Sequence, residues 1–136
     1  MTKQKDIPII QTESVVKRSK FIGYCMEVHE KSCVSNFIKN IVKGDHKDAT
    51  HITYAYVINE NGAETAAFSD GGEPKNTAGK RIFELIQLKN LKNILVVVVR
   101  YFGGQKLGAS GLIRAYRKLA SDAINMYMNR KGTKND

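Results

Sequence analysis

Residues 94–108 read Ile94-Leu95-Val96-Val97-Val98-Val99-Arg100-Tyr101-Phe102-Gly103-Gly104-Gln105-Lys106-Leu107-Gly108. The first six are aliphatic and, Leu95 apart, β-branched. A run this short does not span a membrane, and its lack of polar alternation marks a central strand covered on both sides. It runs into a loop holding Gly103, Gly104 and Gly108. A helix is predicted from Gly108 to about Asn129, with Leu112, Tyr116, Leu119, Ala120, Ala123 and Tyr127 on one face. Arg114, Lys118, Ser121 and Asn125 fall roughly opposite. A buried strand, a glycine loop and an amphipathic helix in succession set the frame of an α/β domain.

Upstream, Ile22, Tyr24, Met26 and Val28 alternate and predict a strand within residues 15–28. Gly23 there marks a bulge or a close neighbour. Val34, Phe37, Ile38, Ile41 and Val42 recur at helical spacing, with Ser32 as N-cap and Gly44 as stop. Ile52, Tyr54, Tyr56 and Ile58 alternate up to Asn61-Gly62, a strong hairpin signal, and Glu64–Phe68 is the return strand. The turn Ser69-Asp70-Gly71-Gly72-Glu73-Pro74 opens a second helix through Ala78, Ile82, Phe83, Leu85 and Ile86. The fold class is therefore α/β in the α+β sense: one two-layer domain over residues 14–130, with a loose lead-in at 1–13 and a polar tail at 131–136.

A chain of 136 residues buries about two thirds of its unfolded surface and folds without disulfides. Its composition, 42% hydrophobic and 26% charged, excludes wholesale disorder. Met1–Asp6 lacks the apolar core of a signal peptide, so a cytoplasmic location is expected, with no membrane partner. Cys25 and Cys33 fall in a predicted strand and a predicted helix and are expected to be reduced and buried. The net charge of +9 is unevenly spread. Residues 1–68 hold nine basic and eight acidic side chains, whereas residues 69–136 hold thirteen and five. Between Glu84 and Asp122 no acidic residue interrupts Lys89, Lys92, Arg100, Lys106, Arg114, Arg117 and Lys118. Such asymmetry points to an anionic partner or to a merely solvated basic face.

Three segments are candidates for chemistry. In the glycine loop, Gly103, Gly104 and Gly108 let the backbone approach an anion while Arg100 and Lys106 supply charge, or the loop is a tight turn. It has neither the Walker order nor the dinucleotide spacing. Tyr101 and Phe102 beside it either stack on bases or pack into the core. In the acidic turn, Asp70 and Glu73 either bind a metal, act as acid–base groups, or bond backbone amides to pin the next helix. Among His29, His46 and His51, the last is of most interest, at a strand entry near that turn. No zinc set of histidines and cysteines and no nucleophile with a matching base can be assembled from these spacings.

Lys17-Arg18-Ser19-Lys20-Phe21, Asp48-Ala49-Thr50-His51 through Tyr54-Ala55-Tyr56, Ser69-Asp70 with Gly72-Glu73-Pro74 and Thr77-Ala78-Gly79, Arg100 to Gly108, and Gly111–Tyr116 together resemble the YigZ/IMPACT family over about residues 14–125. The resemblance implies a domain similar to ribosomal protein S5 domain 2, a mixed sheet with helices on one face. It also implies a role in translation. Eukaryotic relatives compete for the activator of the amino-acid-starvation kinase, and nucleic-acid or ribosome association is suggested for bacterial ones. The resemblance also implies that bacterial relatives often carry a second, ferredoxin-like domain after this one. The family turn reads Ser-Asp-Asp-Gly-Glu-Pro-x-Gly-Thr-Ala-Gly-x-Pro; here Gly71 replaces an Asp, Asn76 a Gly and Arg81 a Pro, while Ser110 stands where a Gly is usual.

The leading expectation is a non-enzymatic module that binds RNA or the ribosome. Arg100, Lys106, Arg114 and Lys118 would contact phosphates, with Gly103, Gly104 and Gly108 in the loop. His51, Ser69, Asp70, Glu73 and Thr77 would shape the motif turn. The competing expectations are a module that meets an acidic protein, and an enzyme for a phosphorylated small molecule using His51, Asp70 or Glu73. No cofactor or metal is expected in any of the three.

Overall fold

The aliphatic run lies inside a strand, Ile94–Tyr101, buried from Ile94 to Arg100. The structure, a computed structural model, describes residues 9–135. Its elements in order are β1 (Ile10–Val16), β2 (Ser19–Glu27), α1 (Lys31–Lys43), β3 (His51–Glu60), β4 (Ala63–Ser69), α2 (Gly79–Leu88), β5 (Ile94–Tyr101) and α3 (Gly108–Asn135). The strands form one sheet in the order β1-β2-β5-β3-β4.

Two hairpins build most of that sheet, and β5 inserts between them, antiparallel to β2 on one side and to β3 on the other. The sheet is thus antiparallel throughout rather than mixed. Residues of β5 alternate between two cores. Ile94, Val96 and Val98 pack with Ile82 and Ile86 of α2 and with Tyr116, Leu119 and Ala123 of α3. Leu95, Val97 and Val99 pack with Val34 and Ile41 of α1. Each such fully buried aliphatic side chain contributes about 1.5–3 kcal/mol. Layers of sheet and helix form as expected, with α2 and α3 on one face. The expectation of helices on one face only is corrected by α1, which covers the other. A central strand apolar on both sides requires that second cover.

Local signals mostly hold. Asn61 and Gly62 take φ of +55° and +81° in the two-residue turn between Glu60 and Ala63, as their residue types require. Gly44 ends α1, donating its N–H to the Asn40 carbonyl at 2.8 Å. Ser32 does not cap α1: Glu30 holds that position, and the Ser32 hydroxyl donates to Glu30 Oε1 at 3.2 Å. β1 starts at Ile10, inside the expected lead-in, because Ile10 pairs with Cys25 and is buried. The rest of that lead-in, residues 1–8, lies outside the described residues. α3 continues through Asn135 into the expected polar tail, whose last residue, Asp136, also lies outside them. Cys25 is buried, but Cys33 is exposed, on the solvent side of α1. Among the described residues no helix is long and apolar enough to cross a membrane.

The loop after α1 is locked by His46, whose Nε2 meets the Tyr24 hydroxyl at 2.6 Å and whose Nδ1 meets the Tyr101 hydroxyl at 2.5 Å. In the neutral ring one nitrogen donates and the other accepts, which satisfies both tyrosines. Burial lowers the His46 pKa, with Lys20 acting in the same direction and Asp45 opposing. The folded state therefore binds this proton less readily than the unfolded chain. The resulting stability is present above the usual histidine value of about 6.5 and is lost as pH falls through the folded value. Replacing His46→Gln is expected to flatten the acid side of the stability profile, measured by urea unfolding between pH 7.5 and 5. A profile as steep as the parent's would contradict this.

Candidate binding groove

Strand register places three side chains in a row at one end of the sheet. Phe21 of β2 and His51 of β3 both sit directly opposite Arg100 of β5. Arg100 shares the face of Val96 and Val98, so it points toward α2 and α3 and is only 5% exposed. A buried guanidinium needs a counter-charge, and Glu73 from the acidic turn provides it. Arg100 Nη1 donates to both Glu73 oxygens, at 3.1 and 2.9 Å, and Nε donates to Ser19 Oγ at 3.2 Å. Tyr116 of α3 donates its hydroxyl to Glu73 Oε2 at 2.5 Å. Its pKa is pushed up by burial and then by the Glu73 charge, so it remains a donor. His51 donates Nδ1–H to the Gly71 carbonyl at 2.9 Å and holds Nε2 at 3.5 Å from Glu73 Oε1.

The acidic turn is built to present Glu73. Asp70 accepts backbone N–H groups from Asn76 (2.9 Å), Ala78 (3.1 Å) and Lys80 (3.4 Å), tying the turn to the start of α2. Ser69 Oγ accepts the Gly71 N–H at 3.1 Å, and Thr77 Oγ1 donates to the Pro74 carbonyl at 2.6 Å. Gly71 takes φ of +56°, and a Cβ there would lie 2.2 Å from the Ile52 carbonyl oxygen. The Asp that the family resemblance implies at this position does not fit the turn as it stands. Asn76, standing where that pattern has Gly, takes φ of +68°.

Above this cluster lies a groove of about 430 Å³, lined by His51, Glu73, Arg100, Phe102, Lys106 and Leu112 among others. A second groove of about 300 Å³ shares Leu107 with it and adds Lys17, Arg114 and Lys118. The β1–β2 turn reaches this region because Gly103 lies against it: a Cβ on Gly103 would sit 1.9 Å from the Arg18 carbonyl oxygen. Gly104 and Gly108 take φ of +89° and +77°. Among the described residues Lys17, Arg18, Lys106 and Arg114 form no ion pair; Lys118 pairs with Asp122 at 3.0 Å.

Of the residues expected to meet phosphates, Lys106, Arg114 and Lys118 thus gather around two adjoining grooves. Arg100 does not join them as a surface cation, since its charge is taken up in the interior by Glu73. Of the motif turn, His51 and Glu73 reach the groove, whereas Ser69, Asp70 and Thr77 hold the backbone. Both Glu73 oxygens are occupied, which suits anchoring better than proton transfer. Among the described residues no group of three or more His, Cys, Asp and Glu is placed to hold a metal.

Sequence reasoning missed Tyr116 as a polar partner, though a tyrosine on a buried helix face signals one. It also missed Ser19 as a ligand of Arg100, and Lys17 as a groove-lining cation. The turn at 17–18 carries no glycine or asparagine to announce it.

These features define an α+β domain with a buried ion-pair cluster beneath a basic-rimmed groove. A model described as the Impact N-terminal domain matches residues 17–124, and the chain belongs to that family. It is 45% identical over 113 residues to the Bacillus subtilis protein named IMPACT family member YvyE, covering 83% of this chain and 51% of that protein. It is 32% identical over 127 residues to the Escherichia coli IMPACT family member YigZ, covering 93% and 61%. The chain therefore spans little more than half the length of these relatives. A crystal structure of a protein described as hypothetical superposes with a TM-score of 0.79 at 30% identity, covering 86% of this chain and 57% of that one. The two-domain translational regulator Yih1 shares the fold at a TM-score of 0.53 and 22% identity, covering 90% and 52%.

Removing Glu73 leaves a buried guanidinium unpaired. Glu73→Ala is expected to cost about 3–5 kcal/mol in urea unfolding, and Arg100→Met added to it is expected to restore much of that loss. A Glu73→Ala chain of parental stability would show that the pair is not buried as described.

Proposed function

We propose that this chain is a non-enzymatic module of translational control that binds RNA, free or within the ribosome, through the basic rim of its grooves. Such a role places it in the cytoplasm. The observation that carries the reading is the β1–β2 turn. Val16 pairs with Ser19, so Lys17 and Arg18 alone make the turn, with φ of +46° and +68°. The hairpin at the far end of the sheet meets the same demand with Asn-Gly. A left-handed conformation costs an ordinary residue on the order of 1–2 kcal/mol, and such strain concentrates at functional sites. Here it sets two cations beside the glycine loop, Lys17 lining one groove with Arg114 while Lys106 lines the adjoining one. Support for the translational setting comes from family membership and from the description of Yih1 as a translational regulator.

Phosphate contacts of this kind give salt-dependent affinity with little sequence preference. Lys106→Glu with Arg114→Glu is expected to weaken RNA binding without unfolding the domain, and to lower the salt slope by roughly 0.7 per lost contact on a single strand. Fluorescence anisotropy with a labelled oligoribonucleotide at several salt concentrations checks this. Unchanged affinity in the double variant sinks the assignment.

Lys17→Asn with Arg18→Gly separates binding from folding. It is expected to raise the unfolding midpoint, because the new residues suit the turn, and to weaken RNA binding. Higher stability at undiminished affinity would remove the turn from the binding surface.

A further inference from the structure

We infer that the 430 Å³ groove receives one unpaired base of the bound RNA, stacked on Phe102, so that the module selects single-stranded over duplex RNA. The inference rests on the RNA reading above and deepens it. Phe102 follows β5 directly and is 46% exposed at the wall of the groove. Phe68, the other exposed aromatic among the described residues, packs on Phe83 with ring centroids 5.4 Å apart and lines neither of the two grooves. The Phe102 backbone N–H donates to Thr50 Oγ1 at 2.9 Å, and the Arg100 guanidinium lies 5.4 Å from the Phe102 ring centroid. That guanidinium is itself immobilised by Glu73 and Ser19 and lies 5.7 Å from the centroid of the Phe21 ring. The Phe102 backbone is thus tied to Thr50, and its ring stands beside a cation that Glu73 and Ser19 hold.

The rest of the groove matches the chemistry of a nucleotide. Pro74, Leu107 and Leu112 give it apolar walls suited to the face of a base. Lys106 lines it, and Lys17 and Arg114 line the adjoining groove, where the strand's phosphates would continue. Arg100 Nη2 makes no hydrogen bond among the described residues, and Arg100 lines the groove, so a donor is available to a base carbonyl. The volume falls at the small end of ligand pockets, of order 300–1,000 Å³, and admits a single nucleotide. Duplex RNA keeps its bases stacked and has no base face to offer such a platform.

The chain has no tryptophan, so Phe102→Trp supplies a single fluorescent reporter at the proposed contact. Its emission is expected to be quenched by a single-stranded oligoribonucleotide and unaffected by the matching duplex. Phe102→Ala is expected to weaken single-strand binding on the order of tenfold while leaving duplex binding unchanged. Equal losses for both RNAs, or no loss for either, overturn the stacking inference. If Lys106→Glu with Arg114→Glu still releases RNA in that case, the RNA reading survives without it. If the parent chain binds neither RNA, both fall together. Phe102→Leu, which keeps the apolar bulk, is expected to behave as Phe102→Ala; full single-strand affinity there would make the contact merely hydrophobic and overturn stacking.

Discussion

The ion pair between Arg100 and Glu73 is the constraint on which this end of the molecule depends. Arg100 closes the central strand, and Glu73 sits in the turn before α2. Their shared partners come from β2 through Ser19 and from α3 through Tyr116, with His51 of β3 close by. Five elements or their connections thus meet at one charge pair. Its net contribution to stability is small in principle, since the attraction mainly offsets desolvation. What it confers is position: only one placement of the turn satisfies both charges, and that placement forms one wall of the groove. The Arg100 guanidinium also lies 5.4 Å from the Phe102 ring centroid, so the same pair borders the apolar wall of the groove.

Much of the scaffold was legible because periodicity and turn chemistry report local demands. The aliphatic run gave a strand covered on two sides, and Asn61-Gly62 gave its hairpin. The face of Leu112, Tyr116, Leu119, Ala120, Ala123 and Tyr127 lies in the interior. What escaped was decided by tertiary contact. The strand β1 carries only a weak pattern and is recognised by pairing with β2. Its turn, Lys17-Arg18, defies the usual residue preference. That Arg100 is buried cannot be read from a basic residue at the end of an apolar run; it follows from Glu73 reaching it across 27 residues of chain. The second helical layer was implied by β5 itself, and the family likeness to a one-sided sheet pulled against that implication.

The residues that carry the family resemblance are for the most part architectural. Asp70 caps the approach to α2, Ser69 and Thr77 close local turns, and Glu73 and Arg100 neutralise each other. Gly103 exists to let Arg18 pass. A motif of this kind reports that a turn, a strand end and a loop have been brought to one place. It does not report what the place binds. Lys17, Arg18, Lys106 and Arg114 belong to the same segments, and the architecture gathers these cations from three separate stretches of chain. The substitutions in the turn fit the same division. Asn76 takes a left-handed conformation that glycine adopts freely and asparagine tolerates, so the path of the backbone is kept. Gly71 gives up a carboxylate but lets the turn close on β3. Both changes leave the Glu73–Arg100 anchor in place, and with it the wall of the groove that these two residues line.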